Sequence, residues 1–484
     1  MSKVPPDPDS PLQDSVKALR DLAASAVRNT DPETMTFALP AQDNQVSQRH
    51  ARAAIDLALR VGEALLVMGA SAADVTASTL RLLAAYGVTS AHVDITFTSI
   101  TVSVHRGLDE DPLSVLRVIR QRSMDHSRLQ NVQRLVDRIT RAPAEERPSV
   151  DQAREELVAV LRAPQPYHPW VGTAGGSIMA VGIVISLGGG PAIMALAAIS
   201  AAVVAGAAAA LGRAGFPTFF VQVISAAIPS GLALGVAWLQ SQGMARWIDA
   251  PSLVVVSGII VLLAGMTVVG AAQDALDGYY VTASARGLEV VVITMGIAVG
   301  IGSILIVADL MGLPLTISAQ VTAFIGVGYS AVAALLAGVG FSLSARASPK
   351  TVLVAALVTP TVYLAYLPIM LLELPAGFAV AGPAILAGVL GYLAQRLLRV
   401  PEQAVTTAAI VMLLPGLAVF RGIDSLISLG VSGGGMADLL TAVGTGLGLA
   451  AGASVGGFVA RRAAGLDKIT RRVVRGRLRT DNVE

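Results

Sequence analysis

Long apolar runs broken by short polar stretches set the plan of this chain. From Trp170 to Gly212 there is no Asp, Glu, Lys or Arg. A membrane-spanning helix needs about 20 mostly apolar residues, so this stretch holds two, divided at Gly188-Gly189-Gly190-Pro191. The pattern continues and predicts ten spans, at 170–188, 192–211, 218–240, 252–272, 288–310, 315–340, 351–371, 375–396, 403–421 and 438–460. Ahead of them the pattern changes. Residues 45–69, 71–87, 111–120, 126–142 and 150–163 repeat apolar positions at the helical period, while 88–107 alternates with period two and reads as one or two strands. Ser71 is a helix cap, and Gly69 and Gly87 are terminators. The expected fold is mainly α: a polytopic helical membrane protein with a small α+β domain in front.

Composition sharpens that class. Of 484 residues, 54% are hydrophobic and 14% charged, against about 25% charged in soluble proteins. No single soluble domain builds a core of hundreds of apolar residues. Residues 1–44, rich in Pro, Asp, Ser and Gln, are expected to be disordered. The α+β domain takes 45–165, the membrane halves 168–312 and 313–462, and a basic tail 463–484. The opening MSKVPPDPDSPLQDSVK lacks the apolar core of a signal peptide. With no cysteine there are no disulfides, thiol nucleophiles or Cys metal sites. A net charge of +2 gives no nucleic-acid footprint. Lys and Arg set the orientation. Six fall in loops on the side of the N-terminus (Arg213, Arg286, Arg346, Lys350, Arg396, Arg399) and two on the other (Arg246, Arg421). Both termini are therefore expected in the cytoplasm.

The fourth span carries LLAGMTVV (262–269) and the ninth LLPGLAVF (413–420), aligning Gly265 with Gly416. Ten spans then read as two units of five. Five is odd, so the second unit enters the membrane inverted, an architecture of secondary transporters with the site at the repeat interface. Pro415 and Gly416 interrupt a helix in mid-run. Interrupted helices in corresponding positions point to a binding site, where freed amides and carbonyls hold charged ends of a substrate. The competing reading is a proline kink and close glycine packing. Gly265, Thr267, Gln222, Pro415 and Gly416 are the candidate substrate residues.

Polar groups cluster where the fourth span ends. Asp274, Asp277, Arg286 and Glu289 stand within AAQDALDGYYVTASARGLEV (271–290), and charges at membrane depth tend to be functional. The three carboxylates are candidates for proton coupling, and Arg286 for a substrate carboxylate; the ordinary reading is a loop with a local Arg286–Glu289 pair. In the soluble part His92, Asp94, Thr96 and Thr98 share a strand face, followed by Ser99 and His105. Ser, His and Asp suggest a hydrolase, but there is no G-x-S-x-G elbow, and a hydrogen-bonded polar sheet face is the better reading. No catalytic residue, metal site or cofactor is assigned, and without a phosphate-binding G-x-x-x-x-G-K-[ST] loop ATP drive is not expected.

Taken together, HVDITFTSITV (92–102), GFPTFFVQ (215–222), SGIIVLLAG (257–265), QDALDG (273–278), VTASAR (281–286) and MLLPGLAVFRG (412–422) make the chain resemble the threonine/serine exporter family of bacterial secondary transporters. Its actinobacterial members, with a charged amino-terminal domain fused to both membrane halves, are most similar. The resemblance implies export of L-threonine and L-serine across the bacterial inner membrane, driven by the proton motive force, with protons and small amino acids as partners. It implies no substrate-binding residues, so those named above rest on the residues alone. A membrane-anchored hydrolase and a channel are the alternatives. The oligomeric state is not read from the sequence.

Overall fold

A computed structural model describes residues 47–105, 112–119, 124–245, 247–248, 250–262, 265–313, 326–416, 418–419, 421–422, 425 and 434–464. Segment 1–44, Gln320, Arg246 and most of the basic tail lie outside them.

The N-terminal part is built from helices α1 (Gln48–Val67), α2 (Ala72–Ala85), α3 (His126–Arg141) and α4 (Val150–Arg162), with strands β1 (Ala91–Thr96), β2 (Ser99–Val104) and β3 (Leu113–Val118). All four helix starts carry the side-chain caps their sequences offer: Ser47 accepts from the His50 amide, Ser71 from Asp74, Asp125 from Arg128, and Ser149 from Gln152 in a full capping box. Strands pair antiparallel in the order β1-β2-β3. Segment 111–120, expected as a helix, is instead the strand β3. Its apolar spacing satisfies both periods over so short a run, and β2 offers an open edge. In strand form Val115 faces Val102 and Leu113 faces Val104 across the pair, while Arg117 forms ion pairs with Glu63 and Asp56 of α1. The inner face of the sheet (Ile95, Ile100, Val102) and α1 close one core with Leu65, Leu82, Leu129, Ile139 and Leu157.

The chain then enters the membrane region through α5 (Pro169–Ser186), α6 (Pro191–Arg213), α7 (Thr218–Ser241), α8 (Ser252–Leu262), α9 (Gly265–Leu276), α10 (Tyr280–Leu310), α11 (Val327–Ser344), α12 (Pro349–Met370), α13 (Ala376–Leu393, ending in a wide turn to Leu398), α14 (Glu402–Ile410) and α15 (Gly435–Ala463). Among the described residues eight helices are long and apolar enough to cross a membrane, and nine if α8 and α9 form one bent span. The ninth expected span, 403–421, appears as the short apolar helix Glu402–Leu413 and scattered described residues beyond it. The span expected at 315–340 is seen as α11 alone, since 314–325 lie outside the described residues. The protein is a multi-pass helical membrane protein.

Small residues let these helices touch backbone to backbone. Gly175 of α5 and Gly340 of α11 pack reciprocally, and Gly182 lies against Ala333 and Ala337, so α5 and α11 run antiparallel. In α10, Gly296 and Gly300 lie against Phe219 and Val223 of α7; in α15, Gly448, Gly452 and Gly456 lie against Gly377, Ala381 and Ile385 of α13. Both of these pairs are parallel. A side chain at any of these glycines would meet backbone.

Candidate functional site

Two runs of helix are interrupted. Between α8 and α9 the direction turns by 42°, with Gly265 opening α9. In the other, α14 gives way at Val411 to a single 3₁₀ turn, Leu414 is extended, and Pro415 follows. The helix resumes beyond Pro415, whose carbonyl accepts from the Val419 amide at 3.0 Å. Proline has no amide to continue the first half, and its ring disfavours helical backbone at Leu414. Gly416 opens the second half as Gly265 opens α9. The second break falls at Pro415, where its missing amide predicts it.

The two breaks cross. Gly416 packs on Ile260, just ahead of the first break, so closely that a side chain there would collide with Ile260. Val269, beyond the first break, is buried with Leu413, just ahead of the second. Ile260 and Val261 also pack beside Val411 and Met412. Thr267 is partly buried in the first turn of α9. Gln222 lies on α7, where its Cβ sits beside Gly296. Its Oε1 is buried and has no hydrogen-bond partner among the described residues. One turn on, Ala226 joins Ile259, Ile260 and Ile297 in one cluster, so α7, α8 and α10 converge beside the crossing.

The charged corner at 274–289 has a different arrangement. Asp274 is fully buried and Arg286 nearly so, and they form an ion pair at 3.1 Å. The Arg286–Glu289 pair does not form among the described residues. Gly270 makes room for the guanidinium, since a Cβ there would lie 2.7 Å from Nη1. The remaining bonds leave the membrane part altogether. Asp274 Oδ1 accepts from the Ala72 amide at 3.0 Å, where a carboxylate suits the first turn of α2. Arg286 Nη2 donates to the Ala70 carbonyl at 3.2 Å. Tyr279 Oη and Thr76 Oγ1 lie 2.9 Å apart, and Thr282 Oγ1 donates to the Ile95 carbonyl at 3.1 Å. Asp277 lies in the turn between α9 and α10, open on one side. Burial on its other side, then the charges of Asp74 and Asp274, push its carboxyl up to about 6 against the pull of Arg461.

Other loops on this side also meet the N-terminal part. The amides of His126 and Ser127 donate to the Ala345 and Arg346 carbonyls, and Gln130 Nε2 donates to the Arg399 carbonyl at 2.8 Å. Gln403, at the start of α14, donates to the Gly69 carbonyl at 2.6 Å. Sequence reasoning missed Gln403, and only its place after Pro401 at a helix start marked it. Glu402 beside it accepts from Arg461 of α15 at 3.0 and 3.1 Å.

On the sheet, His92, Asp94 and Thr96 share the outer face with Ser99, Thr101 and Ser103, whereas Thr98 falls in the hairpin turn. Thr96 and Ser99 hydroxyls hydrogen-bond at 2.7 Å, as do Ser103 and Ser114. This is a mutually bonded polar face. Among the described residues no group of three or more His, Asp or Glu is placed to hold a metal ion.

Comparison with known proteins agrees with this architecture. The family described as "Putative threonine/serine exporter" matches residues 56–308, which cover α1 through most of α10. The chain is 32% identical over 459 residues to a "Probable threonine/serine exporter" of Mycobacterium tuberculosis, covering 93% of this chain and 85% of that one. It is 31% identical over 417 residues to a "Threonine/serine exporter" of Corynebacterium glutamicum, covering 84% and 82%. No solved structure matches. With its helical membrane region, a family match over half of its length and relatives similar over most of it, the chain belongs to the threonine/serine exporter family.

Proposed function

We propose that the protein exports L-threonine and L-serine from the cytoplasm in exchange for protons, by alternating access at the crossing of the two interrupted helices. The family supports the cargo. The crossing carries the mechanism: Gly416 packs against Ile260, and Val269 and Leu413 are buried in one cluster, which brings the breaks together. A half-helix start offers free amides to a carboxylate, and a half-helix end offers carbonyls to an ammonium. Thr267 in the first turn of α9 and the unpaired Gln222 Oε1 suit a substrate hydroxyl. Asp277, open to the surface and with its carboxyl pushed up to about 6 by burial on its other side, takes the proton. Asp274 and Arg286 balance each other, with Glu289 one turn further along α10.

An inverted repeat fits this reading. The reciprocal antiparallel packing of α5 on α11 suits two first spans related by a twofold axis in the membrane plane. The parallel pairs α7 with α10, and α13 with α15, then correspond as third and fifth spans of each half. The N-terminal part and the tail face the cytoplasm of a bacterial inner membrane, since Arg346 and Arg399 stand in loops that touch the N-terminal part, and Arg286 does so from the second turn of α10.

The test is counterflow of labelled threonine in proteoliposomes, with and without a pH gradient. Saturable counterflow competed by serine and accelerated by the gradient is expected. Gly416→Leu drives a side chain into Ile260 and should abolish it while the protein still purifies as a folded species. Normal threonine affinity in that variant would remove the crossing from the mechanism. Non-saturable flux indifferent to the gradient would indicate a channel.

A further inference from the structure

One turn of the N-terminal part touches both membrane halves at their interrupted helices. Residues Gly69–Ala72 link α1 to α2, with Gly69 at φ +94°. Three residues of this turn, Gly69, Ala70 and Ala72, are held from the membrane side. The Gly69 carbonyl accepts from Gln403, which begins the helix leading to the second break. The Ala70 carbonyl accepts from Arg286, and the Ala72 amide donates to Asp274, near the end of the helix that follows the first break. Asp274 and Arg286 belong to the first half, Gln403 to the second. The turn is therefore a bridge between them. Ala70, Ser71 and Ala72 are all buried, so little water competes for these bonds.

The two sides of the bridge differ in strength. On the first half a buried ion pair with two backbone bonds is a charge-assisted cluster. On the second half a neutral amide makes one bond, and its Oε1 is buried with no hydrogen-bond partner among the described residues. A half-satisfied amide is the weaker link, and it is where the bridge opens first.

We propose that Gln403 is a positioning residue for transport: by holding the Gly69–Ala72 turn it latches the two interrupted helices together on the side of the N-terminal part, and it lets go each time that side opens. The proposal rests on the alternating-access reading above. When Gln403 releases, the N-terminal part stays with the α9–α10 hairpin through Asp274, Arg286, Tyr279 and Thr282, and the helix ahead of Pro415 moves without it. The N-terminal part then works as half of the gate.

The chain has no cysteine, so a single reporter is clean. Met412→Cys places a thiol in the turn ahead of Pro415, beside Ile260 and Val261. The full chain is labelled in membrane vesicles of both orientations with an impermeant maleimide, and the ratio of rates from the two sides is read. A neutral hydrogen bond shifts an equilibrium by a factor of about two to ten. Gln403→Ala, and independently Gln403→Glu, should raise labelling from the side of the N-terminal part about threefold or more. Gln403→Lys, which keeps a donor for the Gly69 carbonyl, should return the ratio to the parent value. Thr282→Val loosens the N-terminal part from the first half only and should leave the ratio within about twofold. An unchanged ratio in both Gln403→Ala and Gln403→Glu would overturn the latch. So would an equal rise in Thr282→Val, or a Gln403→Lys protein as fast as Gln403→Ala. Labelling reads conformation and not cargo, so a failed latch leaves the threonine and serine assignment standing, and failed counterflow leaves the labelling result interpretable.

Discussion

At the residue scale, burial sorts the acidic groups of the 271–290 stretch into different tasks. Asp274 has no water and spends its charge on Arg286 and the Ala72 amide. Asp277, three residues on, reaches the surface and is raised to about 6. A raised carboxyl favours the neutral form in the folded protein. Its contribution to stability is present below the ordinary carboxyl value and is lost as pH rises through about 6. Transport that takes a proton at this group should therefore change with pH around that value. Asp277→Asn should flatten the pH profile of threonine counterflow there while leaving threonine affinity at fixed pH within about twofold; a mutant that keeps the wild-type inflection would move the proton elsewhere. His126 is a contrasting buried group. Burial holds its ring down at about 4, so it sits neutral against Phe341 and anchors by its amide.

At the scale of elements, glycine decides which helices can approach. Gly270 and Gly287 lie on the two arms of the α9–α10 hairpin but face different surroundings. A Cβ on Gly270 would lie 2.7 Å from the Arg286 guanidinium, which its ion pair pins, whereas nothing lies within 4 Å of one on Gly287. Gly270→Ala should cost about 1–3 kcal/mol through overpacking. Gly287→Ala should be neutral or should stabilise by up to about 1 kcal/mol, since alanine is the better helix former. Thermal unfolding in detergent compares the two, and equal midpoints would mean that Arg286 moves aside freely. β3 carries a related lesson. Leu113–Val118 was expected as a helix because short apolar runs satisfy both periods, and the open edge of β2 decided the matter.

At the scale of the whole molecule, the loops that meet the N-terminal part alternate along the chain. The contacts fall at 274–286, 345–346, 399–403 and no other membrane loop for which a hydrogen bond is described above. That alternation is what a chain crossing at every helix requires, with the interrupted pairs counted as single crossings. Ser149 caps α4 within the N-terminal part, and a cysteine there reports the side on which it lies. Impermeant labelling of Ser149→Cys should fail in intact cells and succeed in inverted vesicles. Labelling in intact cells would reverse the orientation.

The sequence by itself determined the membrane class, most of the spans and the break at Pro415. These rest on local causes: apolar length and the missing amide of Pro415. It also marked Asp274 and Arg286 as costly charges that must be used. What they are used for was decided by tertiary structure. Asp274 pairs with an amide 202 positions away, Gln403 with a carbonyl 334 positions away, and no periodicity carries partners at that distance. The close packing of Gly416 on Ile260 and the shared burial of Val269 and Leu413 depend on how helices pack. Packing is set by the shapes of all neighbours at once, and one helix's own sequence does not contain them.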